Sequence, residues 1–309
     1  MPLYLTEADV EQLLPPADAI AAVEGCFQRL ARGEVENRPR VRQKADGGAF
    51  AVMPAVDHEL RFAGVKSYTW LPGGTPFVVC LFDLERAELA AVIEADKLGQ
   101  LRTGAASAVA AKFLAREGAS SLGVLGCGWQ AESQALCIRE AVPTVERVVA
   151  YCRTEKSLAR FCKRFAAEPG ETHRDAAEQD IVVTVTTSRD PVLRGEWLKP
   201  GALVCAVGAN DRRARELDNA VLERASFVCC DSIEQAKLES GDLIEPIEQG
   251  LLDWLEVHQL QEVVAGELQG RQADDDIVLF KSNGIAAWDV AAGALTLERA
   301  REQGVGVEL

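Results

Sequence analysis

The sequence predicts an α/β protein in which a doubly wound parallel sheet is combined with a second, discontinuous α+β domain. Three observations support this fold class. From residue 120 onward, short apolar stretches alternate with helical patterns, as expected for repeated βαβ units. A glycine turn at 126–131 joins the first of these strands to its helix. The chain has 309 residues, which exceeds the usual size of one hydrophobic core and favours two domains.

The first third of the chain has helices first and strands afterwards. Thr6 is a suitable N-cap with Asp9 three residues later, and a second helix is predicted over 16–31. Turns rich in Gly and Pro then separate the strand patterns. The predicted strands are 49–53, 62–68, 77–83 and 89–94. A long helix is predicted over 95–116, and its small residues at 104–107 would allow close contact with another backbone.

The alternation of strand and helix after residue 120 is regular. The predicted strands are 121–125, 145–151, 180–186, 203–207, 227–230 and 277–280. The predicted helices between them are 130–140, 155–167 and 217–224. Residues 284–303 are again helical, and we expect this tail to cross back to the first domain. That crossing would make the first domain discontinuous.

The composition excludes several kinds of partner. The formal net charge is −15, whereas nucleic acid and anionic membranes require clustered Lys and Arg. No segment has the roughly 20 apolar residues that span a bilayer, and the first residues lack a signal-peptide pattern. The nine Cys form no Cys-x-x-Cys pair and the three His are far apart, so no metal site is expected. We expect a cytoplasmic protein, in which a few buried cations could still bind a small anion.

The turn at 126–131 reads Gly-Cys-Gly-Trp-Gln-Ala, which is the pattern of a dinucleotide-binding site. Gly126 allows the tight turn, Gly128 lets the backbone approach a pyrophosphate, and Ala131 permits close packing of helix on strand. The alternative is an ordinary glycine-rich turn, but the apolar strand before it and the helix after it supply the required context. The sequence therefore predicts a Rossmann domain. The cofactor-binding residues expected here are Gly126, Gly128, Trp129, Gln130 and Ala131.

The end of the second strand sets the predicted cofactor preference. A site for NAD usually has Asp or Glu there, which holds the ribose 2′-hydroxyl. Residues 151–154 read Tyr-Cys-Arg-Thr, so no acid is present and Arg153 suits a 2′-phosphate. We expect Arg153 and Thr154 to contact the cofactor, with NADP(H) preferred and NAD(H) as the alternative. In the competing interpretation, Arg153 lies on the surface and stacks over the adenine.

Several motifs follow one another in a recognisable order. They are 50–55 (Phe-Ala-Val-Met-Pro-Ala), 64–66 (Gly-Val-Lys), 101–107 (Leu-Arg-Thr-Gly-Ala-Ala-Ser), the turn at 126–131, 208–210 (Gly-Ala-Asn), 216–218 (Glu-Leu-Asp), 240–242 (Ser-Gly-Asp) and 280–284 (Phe-Lys-Ser-Asn-Gly). Over nearly its whole length the chain resembles the ornithine cyclodeaminase/mu-crystallin family. Agreement at several motifs in one order is more specific than the glycine turn alone.

The resemblance implies an architecture and a chemistry. The Rossmann domain would comprise 118–283, and residues 1–117 with 284–309 would form a substrate-binding and dimerisation domain. Members are typically homodimers joined through their substrate domains, with the active site in the cleft between domains. They move a hydride between a nicotinamide ring and the α-carbon of an amino or imino acid. Among them are ornithine cyclodeaminases, alanine dehydrogenases and reductases of cyclic imino acids.

An α-imino acid needs fixed positive charge for its carboxylate and a proton donor near its nitrogen. Arg binds a carboxylate through a planar fork of donors. The resemblance assigns this role to Arg102 and Lys66, together with a further Arg, for which Arg40 is favoured over Arg38 and Arg42. Lys66 would bind the carboxylate, protonate the imine nitrogen, or do both, and two neighbouring Arg would lower its pKa. The alternative for each cation is a solvated surface charge.

One position departs from the branches of the family that the chain resembles. Cyclodeaminases and alanine dehydrogenases have Asp in the third position of Gly-Ala-Asp, where it handles the substrate amine, and this chain has Asn210. An amide cannot accept a proton as a carboxylate does, and Asp211 replaces it only if the loop shifts. An imine needs no such base in the reductive direction. Asn210 therefore favours reduction of small α-imino carboxylates, as in ketimine and Δ1-pyrroline-2-carboxylate reductases.

Further cofactor contacts are expected from the long helix and from the carboxyl ends of strands. They are Thr103, Thr186, Thr187 and Ser282. Three other functions stay open. Asn210 disfavours a cyclodeaminase or alanine dehydrogenase that uses NAD, and the carboxylate site of Arg102 and Lys66 disfavours a mu-crystallin-like protein that binds NADPH without turnover. A dehydrogenase of 2-hydroxy acids lacks an evident pair of His and acid, and rests on analogy of fold alone.

Overall fold

A computed structural model describes all 309 residues, and the chain forms two compact units. Unit 1 comprises Met1–Arg102 with Ile285–Leu309, and unit 2 comprises Thr103–Gly284. The boundary after Arg102 lies inside the long helix, whereas the sequence analysis placed it after residue 117. The reason is close packing within unit 2, because a Cβ on Gly104 would lie 2.4 Å from the carbonyl oxygen of Ser133.

The helices and strands are numbered in chain order. Up to residue 114 they are β1 (Leu3–Leu5), α1 (Glu7–Leu13), α2 (Pro16–Ala31), β2 (Val35–Asn37), β3 (Val41–Ala45), β4 (Gly48–Asp57), β5 (Phe62–Trp70), β6 (Phe77–Asp83), β7 (Glu88–Glu94) and α3 (Asp96–Leu114). The remainder are β8 (Ser121–Leu125), α4 (Trp129–Ala141), β9 (Arg147–Tyr151), α5 (Glu155–Phe165), β10 (Glu168–Pro169), α6 (His173–Ala177), β11 (Ile181–Thr184), β12 (Leu203–Ala206), α7 (Asn219–Arg224), β13 (Ala225–Cys230), α8 (Ile233–Glu239), α9 (Gly241–Glu248), β14 (Val257–Gln259), α10 (Leu260–Val264), β15 (Ile277–Lys281), α11 (Ala286–Gln303) and β16 (Val307–Glu308).

Unit 1 is built on a mostly antiparallel sheet that α11 covers on one face. The strand order is β16-β1-β7-β6-β5-β4-β2, with β3 paired to β4. A Cβ on Gly64 of β5 would lie 2.7 Å from Val290 of α11, so glycine is needed where the helix approaches the sheet. Side chains along a strand alternate between the two faces. Lys66, two residues after Gly64, therefore points to the same face as α11.

Unit 2 contains a parallel sheet in the order β10-β9-β8-β11-β12-β15-β13-β14. The strands β8, β11, β12 and β15 are buried along their whole length, as expected for a sheet covered by helices on both faces. The chain moves outward from β8 through β9 to β10 and then resumes on the other side with β11. This reversal creates a switch point between β8 and β11, where open α/β sheets bind ligands at the carboxyl ends of the strands.

The doubly wound parallel sheet confirms the predicted fold class. Element boundaries differ where a cap decides them: the helix predicted from residue 217 begins at Asn219, because the Asp218 side chain accepts from the Val221 N–H as its N-cap. Several short elements were not predicted, because they show too little periodicity. These are β1, β2, β3, β10, β14, β16, α6, α8, α9 and α10. No helix has the length and apolar character needed to cross a membrane.

Candidate active site

Unit 1 holds a buried group of charged side chains from three elements. Lys66 lies on β5, paired across the sheet with Met53 of β4. Arg102 lies on α3, and Asp289 lies in the first turn of α11. The side chains of Lys66, Arg102 and Asp289 are 4%, 7% and 1% exposed. The fold therefore brings together the two cations that the sequence analysis assigned to the substrate carboxylate.

Asp289 joins the two cations. Its Oδ1 accepts from Lys66 Nζ at 3.0 Å and from Arg102 Nε at 3.1 Å. This residue was not predicted from the sequence, although a signal was present. An acid between Trp288 and Val290, in a helix otherwise rich in Ala, stands out, because a buried carboxylate requires a cationic partner.

Two atoms of this group are buried without a partner, namely Arg102 Nη1 and Asp289 Oδ2. Buried polar atoms are seldom left unpaired in a folded protein. The Arg102 guanidinium lies over the Trp288 ring, 5.7 Å from its centroid, and Lys66 Nζ lies 5.1 Å from the centroid of Phe77. Aromatic faces attract the cations without using their N–H donors. The arrangement thus leaves an N–H of Arg102 available to an anionic ligand such as a carboxylate.

The pKa of Lys66 is lowered to about 8. Burial is the largest cause, because it disfavours the charged ammonium, and the Arg102 charge acts in the same direction. Asp289 opposes both through its charge and its hydrogen bond, and Arg40 lowers the pKa further. The predicted lowering of this pKa is confirmed. A lysine of this kind can exchange a proton near neutral pH.

The structure separates the three arginines between which the sequence left a choice. Arg40 is half-buried, and its Nε donates to Met53 Sδ at 3.2 Å, next to the strand position of Lys66. Arg38 is 68% exposed and lies 3.7 Å from Glu36. Arg42 is exposed on β3. Of the three, Arg40 is the residue whose charge acts on Lys66.

In unit 2, the glycine turn has the backbone that the sequence predicts. Gly126 has a φ of +110°, and a Cβ there would lie 2.5 Å from the carbonyl oxygen of Val185. Its N–H donates to the Tyr151 carbonyl at 2.9 Å, which ties the turn to the end of β9. Ala131 is fully buried. The turn therefore needs glycine at its first position and a small residue at its last.

The N-terminus of α4 fits a dinucleotide pyrophosphate. Gly128 is its N-cap and makes no side-chain capping bond, and no heavy atom lies within 4 Å of a Cβ built on Gly128. Trp129 is 44% exposed, and Gln130 is half-buried, with its Oε1 buried and without a partner. The room beside Gly128, together with the positive end of the helix dipole, is what a phosphate group requires.

The end of β9 carries no acid. Arg153 and Thr154 are exposed directly after the strand, and Thr154 is the N-cap of α5 without a side-chain capping bond. Near them, the His173 ring contacts the Tyr151 ring in a tilted arrangement, with centroids 4.5 Å apart. The pKa of His173 is lowered, first by burial and then by the Arg153 charge. This edge of unit 2 therefore presents positive charge and an aromatic pair.

The remaining predicted cofactor residues lie at ends of strands or on α3. Thr186 follows β11, and its N–H donates to Glu216 Oε1 at 2.6 Å, whereas Thr187 is exposed. Ser282 follows β15 and is buried. Its Oγ donates to Asp231 Oδ2 at 2.9 Å. Thr103 is half-buried on α3. The carboxyl ends of β11 and β15 therefore place Thr186, Thr187 and Ser282 at the same edge of the sheet.

The loop that carries Asn210 is fixed by buried charges that the sequence analysis missed. Glu216 Oε2 accepts from the N–H groups of Gly208 at 2.7 Å and Ala209 at 3.2 Å. Lys281 Nζ donates to the Ala209 carbonyl at 2.6 Å and lies 3.1 Å from Asp242. The motifs 216–218, 240–242 and 280–284 thus contribute to one anchor. Their signal was the presence of charged residues in otherwise apolar surroundings.

Asn210 itself is exposed at the end of this loop. The pKa of Glu216 is raised, first by burial and then by the charge of Asp242, while Lys281 opposes the rise. Asp211, the alternative base, forms an ion pair with Arg213 at 3.1 Å. Its carboxylate therefore has a cationic partner within the same loop, at the protein surface.

The parallel sheet and its glycine turn define a Rossmann-type protein. A family model described as "Ornithine cyclodeaminase/mu-crystallin family" matches residues 2–304. The chain belongs to the ornithine cyclodeaminase/mu-crystallin family, as the motifs predict. It is 35% identical to an alanine dehydrogenase of Archaeoglobus fulgidus, covering 99% of this chain and 98% of the relative. It is 36% identical to a Δ1-pyrroline-2-carboxylate reductase of Bacillus cereus, covering 82% of each.

Solved structures agree in fold over the whole chain. The Δ1-pyrroline-2-carboxylate reductase of Thermococcus litoralis, in complex with NADH and L-proline, has a TM-score of 0.94 and 31% identity, covering 99% of this chain and 100% of that one. An archaeal alanine dehydrogenase dimer with bound NAD has a TM-score of 0.93 and 33% identity, covering 100% and 98%. These relatives are named as dehydrogenases and reductases, so the predicted enzyme class, an oxidoreductase, is confirmed.

Proposed function

We propose that this protein is an NAD(P)H-dependent reductase of small α-imino carboxylates, which converts cyclic ketimines such as Δ1-pyrroline-2-carboxylate or Δ1-piperideine-2-carboxylate to the L-amino acid. The observation that carries the proposal is the buried group of Lys66, Arg102 and Asp289. It combines an unpaired guanidinium N–H with an ammonium whose pKa is about 8. A carboxylate needs the first of these groups, and an imine nitrogen needs the second.

The residues of the chain have distinct roles in this reaction. Arg102 and Arg40 bind the substrate carboxylate and fix its orientation. When bound, a reduced nicotinamide supplies the hydride. The imine carbon takes the hydride, the electron pair of the C=N bond moves to nitrogen, and that nitrogen takes a proton from the Lys66 ammonium. Lys66 is left as a neutral amine, and solvent returns its proton before the next turnover.

Asn210 supports the reductive direction of the proposed reaction. Oxidation of an amino acid begins with removal of a proton from its ammonium, which an amide cannot accept. Asp211 is the nearest acid in sequence, and its carboxylate is paired with Arg213 at 3.1 Å. Reduction requires a proton donor and no added base. The residues of this loop therefore support the reductive direction.

For the cofactor, we propose a preference for NADPH over NADH. Arg153 is exposed two residues beyond the end of β9, and residues 151–154 include no carboxylate that could bind a ribose 2′-hydroxyl. A guanidinium in this position would pair with the 2′-phosphate of NADPH. The roles of Thr103, Thr154, Thr186, Thr187 and Ser282 at the cofactor are part of the same proposal.

We also propose a homodimer joined through unit 1. The sheet face opposite α11 carries apolar side chains that are neighbours across adjacent strands: Pro54 pairs with Val65, Val65 with Cys80, and Cys80 with Val92. Phe82 on the same face is 43% exposed. A contiguous apolar face of this kind favours association with a second copy. Sedimentation of the purified protein at the mass of a monomer would contradict this proposal.

The experiment that tests the function compares substrates in both directions. Purified protein is given NADPH or NADH with cyclic imines of five- and six-membered ring size, and oxidised cofactor with ornithine, lysine or alanine. We expect rapid oxidation of NADPH with a cyclic imine and no reaction with the amino acids. Release of ammonia from alanine or ornithine with NAD would support the second candidate, a dehydrogenase or cyclodeaminase. The 35% identity to an alanine dehydrogenase favours testing it directly.

A further inference from the structure

Lys66, Arg102 and Asp289 come from β5, α3 and α11, which are far apart in sequence. Both cations donate to a single atom, Asp289 Oδ1, at 3.0 and 3.1 Å. One oxygen with two donors fixes the direction of each side chain as well as the separation between them. We propose that Asp289 is the positioning residue of this site, which holds Lys66 and Arg102 in the orientations that meet an α-imino carboxylate. This inference rests on the proposed function.

The hydrogen bonds decide which part of Arg102 faces the substrate. Because Nε donates to Asp289, the guanidinium edge formed by Nε is occupied, and the Nη edge is left for a ligand. Nη1 is buried and has no partner, which agrees with this division. A carboxylate takes two parallel N–H bonds from one edge of a guanidinium. Asp289 therefore selects the edge that binds the substrate.

Asp289 also supplies negative charge to a buried site that contains several cations. Three cations face one another here, Lys66 from β5, Arg102 from α3 and Arg40 from the segment before β3. Asp289 from α11 is the one carboxylate that acts on Lys66, and it raises the pKa that burial and the two arginines lower. Without it, the ammonium would lose its proton more easily. A net positive charge is retained with Asp289 present, which suits a carboxylate substrate.

The variant Asp289→Asn separates charge from shape. The amide keeps an oxygen that can accept the two hydrogen bonds, and it removes the negative charge. The atom replaced by NH2 is Oδ2, which has no partner in the structure. The matched control is Asp57→Asn, since Asp57 is a fully buried acid of the same unit that pairs with Arg29 at 2.8 Å. Loss of the Asp57 carboxylate should lower the stability of the protein. Because Asp57 does not contact Lys66, the Lys66 pKa should not change.

The first measurement needs neither substrate nor cofactor. Protein labelled with 13C at the lysine ε-carbon is titrated by NMR, and the Lys66 signal is assigned by its absence in Lys66→Met. We expect a midpoint near pH 8 in the wild type. The midpoint should fall by about one pH unit or more in Asp289→Asn and stay unchanged in Asp57→Asn. An unchanged midpoint in Asp289→Asn would overturn the inference.

The second measurement is the pH profile of kcat/KM for the cyclic imine. In Asp289→Asn the alkaline limb should move to lower pH together with the Lys66 midpoint. At a fixed alkaline pH, activity should therefore be about tenfold lower for each pH unit by which the midpoint falls. A residue that only stabilised the fold would lower activity equally at every pH. NADPH affinity, measured by fluorescence, should not change. If the NMR midpoint falls in Asp289→Asn but the wild-type protein does not turn over the imine, the positioning role of Asp289 stands and the proposed function is refuted.

The variant Asp289→Glu keeps the charge and moves the carboxylate by one methylene. It should hold the Lys66 midpoint close to that of the wild type and lower kcat for the imine, because the two cations are displaced. It also provides the decisive comparison if Asp289→Asn does not fold. A wild-type kcat and KM in Asp289→Glu, with wild-type stability, would show that the orientation set by Asp289 is not required.

Discussion

Replacement of Arg102 tests the carboxylate site most directly. Its Nε is engaged by Asp289 at 3.1 Å and its Nη1 has no partner, so the substrate is expected at the Nη edge. A hydrogen bond to a charged group contributes about 1.5–3 kcal/mol. Arg102→Lys keeps the charge and loses the fork, which should raise the KM for the imine about 10- to 100-fold. Arg102→Met loses the charge as well, and kcat/KM should fall about 1,000-fold or more.

The assay is steady-state oxidation of NADPH with a five-membered cyclic imine, with NADPH affinity measured separately by fluorescence. The affinity should be retained, because all the proposed dinucleotide-binding residues belong to unit 2, whereas Arg102 belongs to unit 1. Arg29→Lys is the matched control, since Arg29 is a buried arginine of unit 1 that pairs with Asp57 rather than Asp289. The assignment would be refuted if Arg102→Met left the KM unchanged, or if Arg29→Lys raised it to the same extent.

Four further predictions concern pH and the cofactor. Lys66 must carry a proton to act as the acid, and its pKa is about 8; kcat/KM for the imine should therefore be constant below that pH and fall about tenfold per pH unit above it. An increase toward alkaline pH would mean that Lys66 acts as a base. Gly126→Ala should lower the melting temperature as well as NADPH affinity, because its φ is +110° and its Cβ would lie 2.5 Å from a carbonyl oxygen. Gly128→Ala, with open space around its Cβ, should fold normally and lose only NADPH affinity, as measured by fluorescence titration. Arg153→Ala should reduce the preference for NADPH over NADH about tenfold, through a lower NADPH affinity alone, and an unchanged ratio would place the 2′-phosphate elsewhere.

Local sequence was sufficient to predict the dinucleotide-binding turn at 126–131. Its first glycine is required by a positive φ and its last position by helix packing, and both requirements act within a few residues. Residues 121–141 therefore reveal strand, turn and helix together. The start of α7 was not predicted in this way: the sequence indicated a helix from residue 217, and the helix begins at Asn219 because the Asp218 side chain caps it. The short strand β3, with all its side chains exposed, carries no such local signal, and only its pairing with β4 makes it a strand.

The sequence by itself determined the family and the parallel sheet, because motifs and periodicity are properties of neighbouring residues, and through the family resemblance it singled out Lys66 and Arg102 as candidate cations. Only the tertiary structure decided that Asp289 accepts from both cations and that Arg40, rather than Arg38 or Arg42, acts on Lys66. These contacts join residues far apart in the chain. Their existence depends on how α11 packs on the sheet, and the pKa of Lys66 depends on the burial and charges that this packing creates.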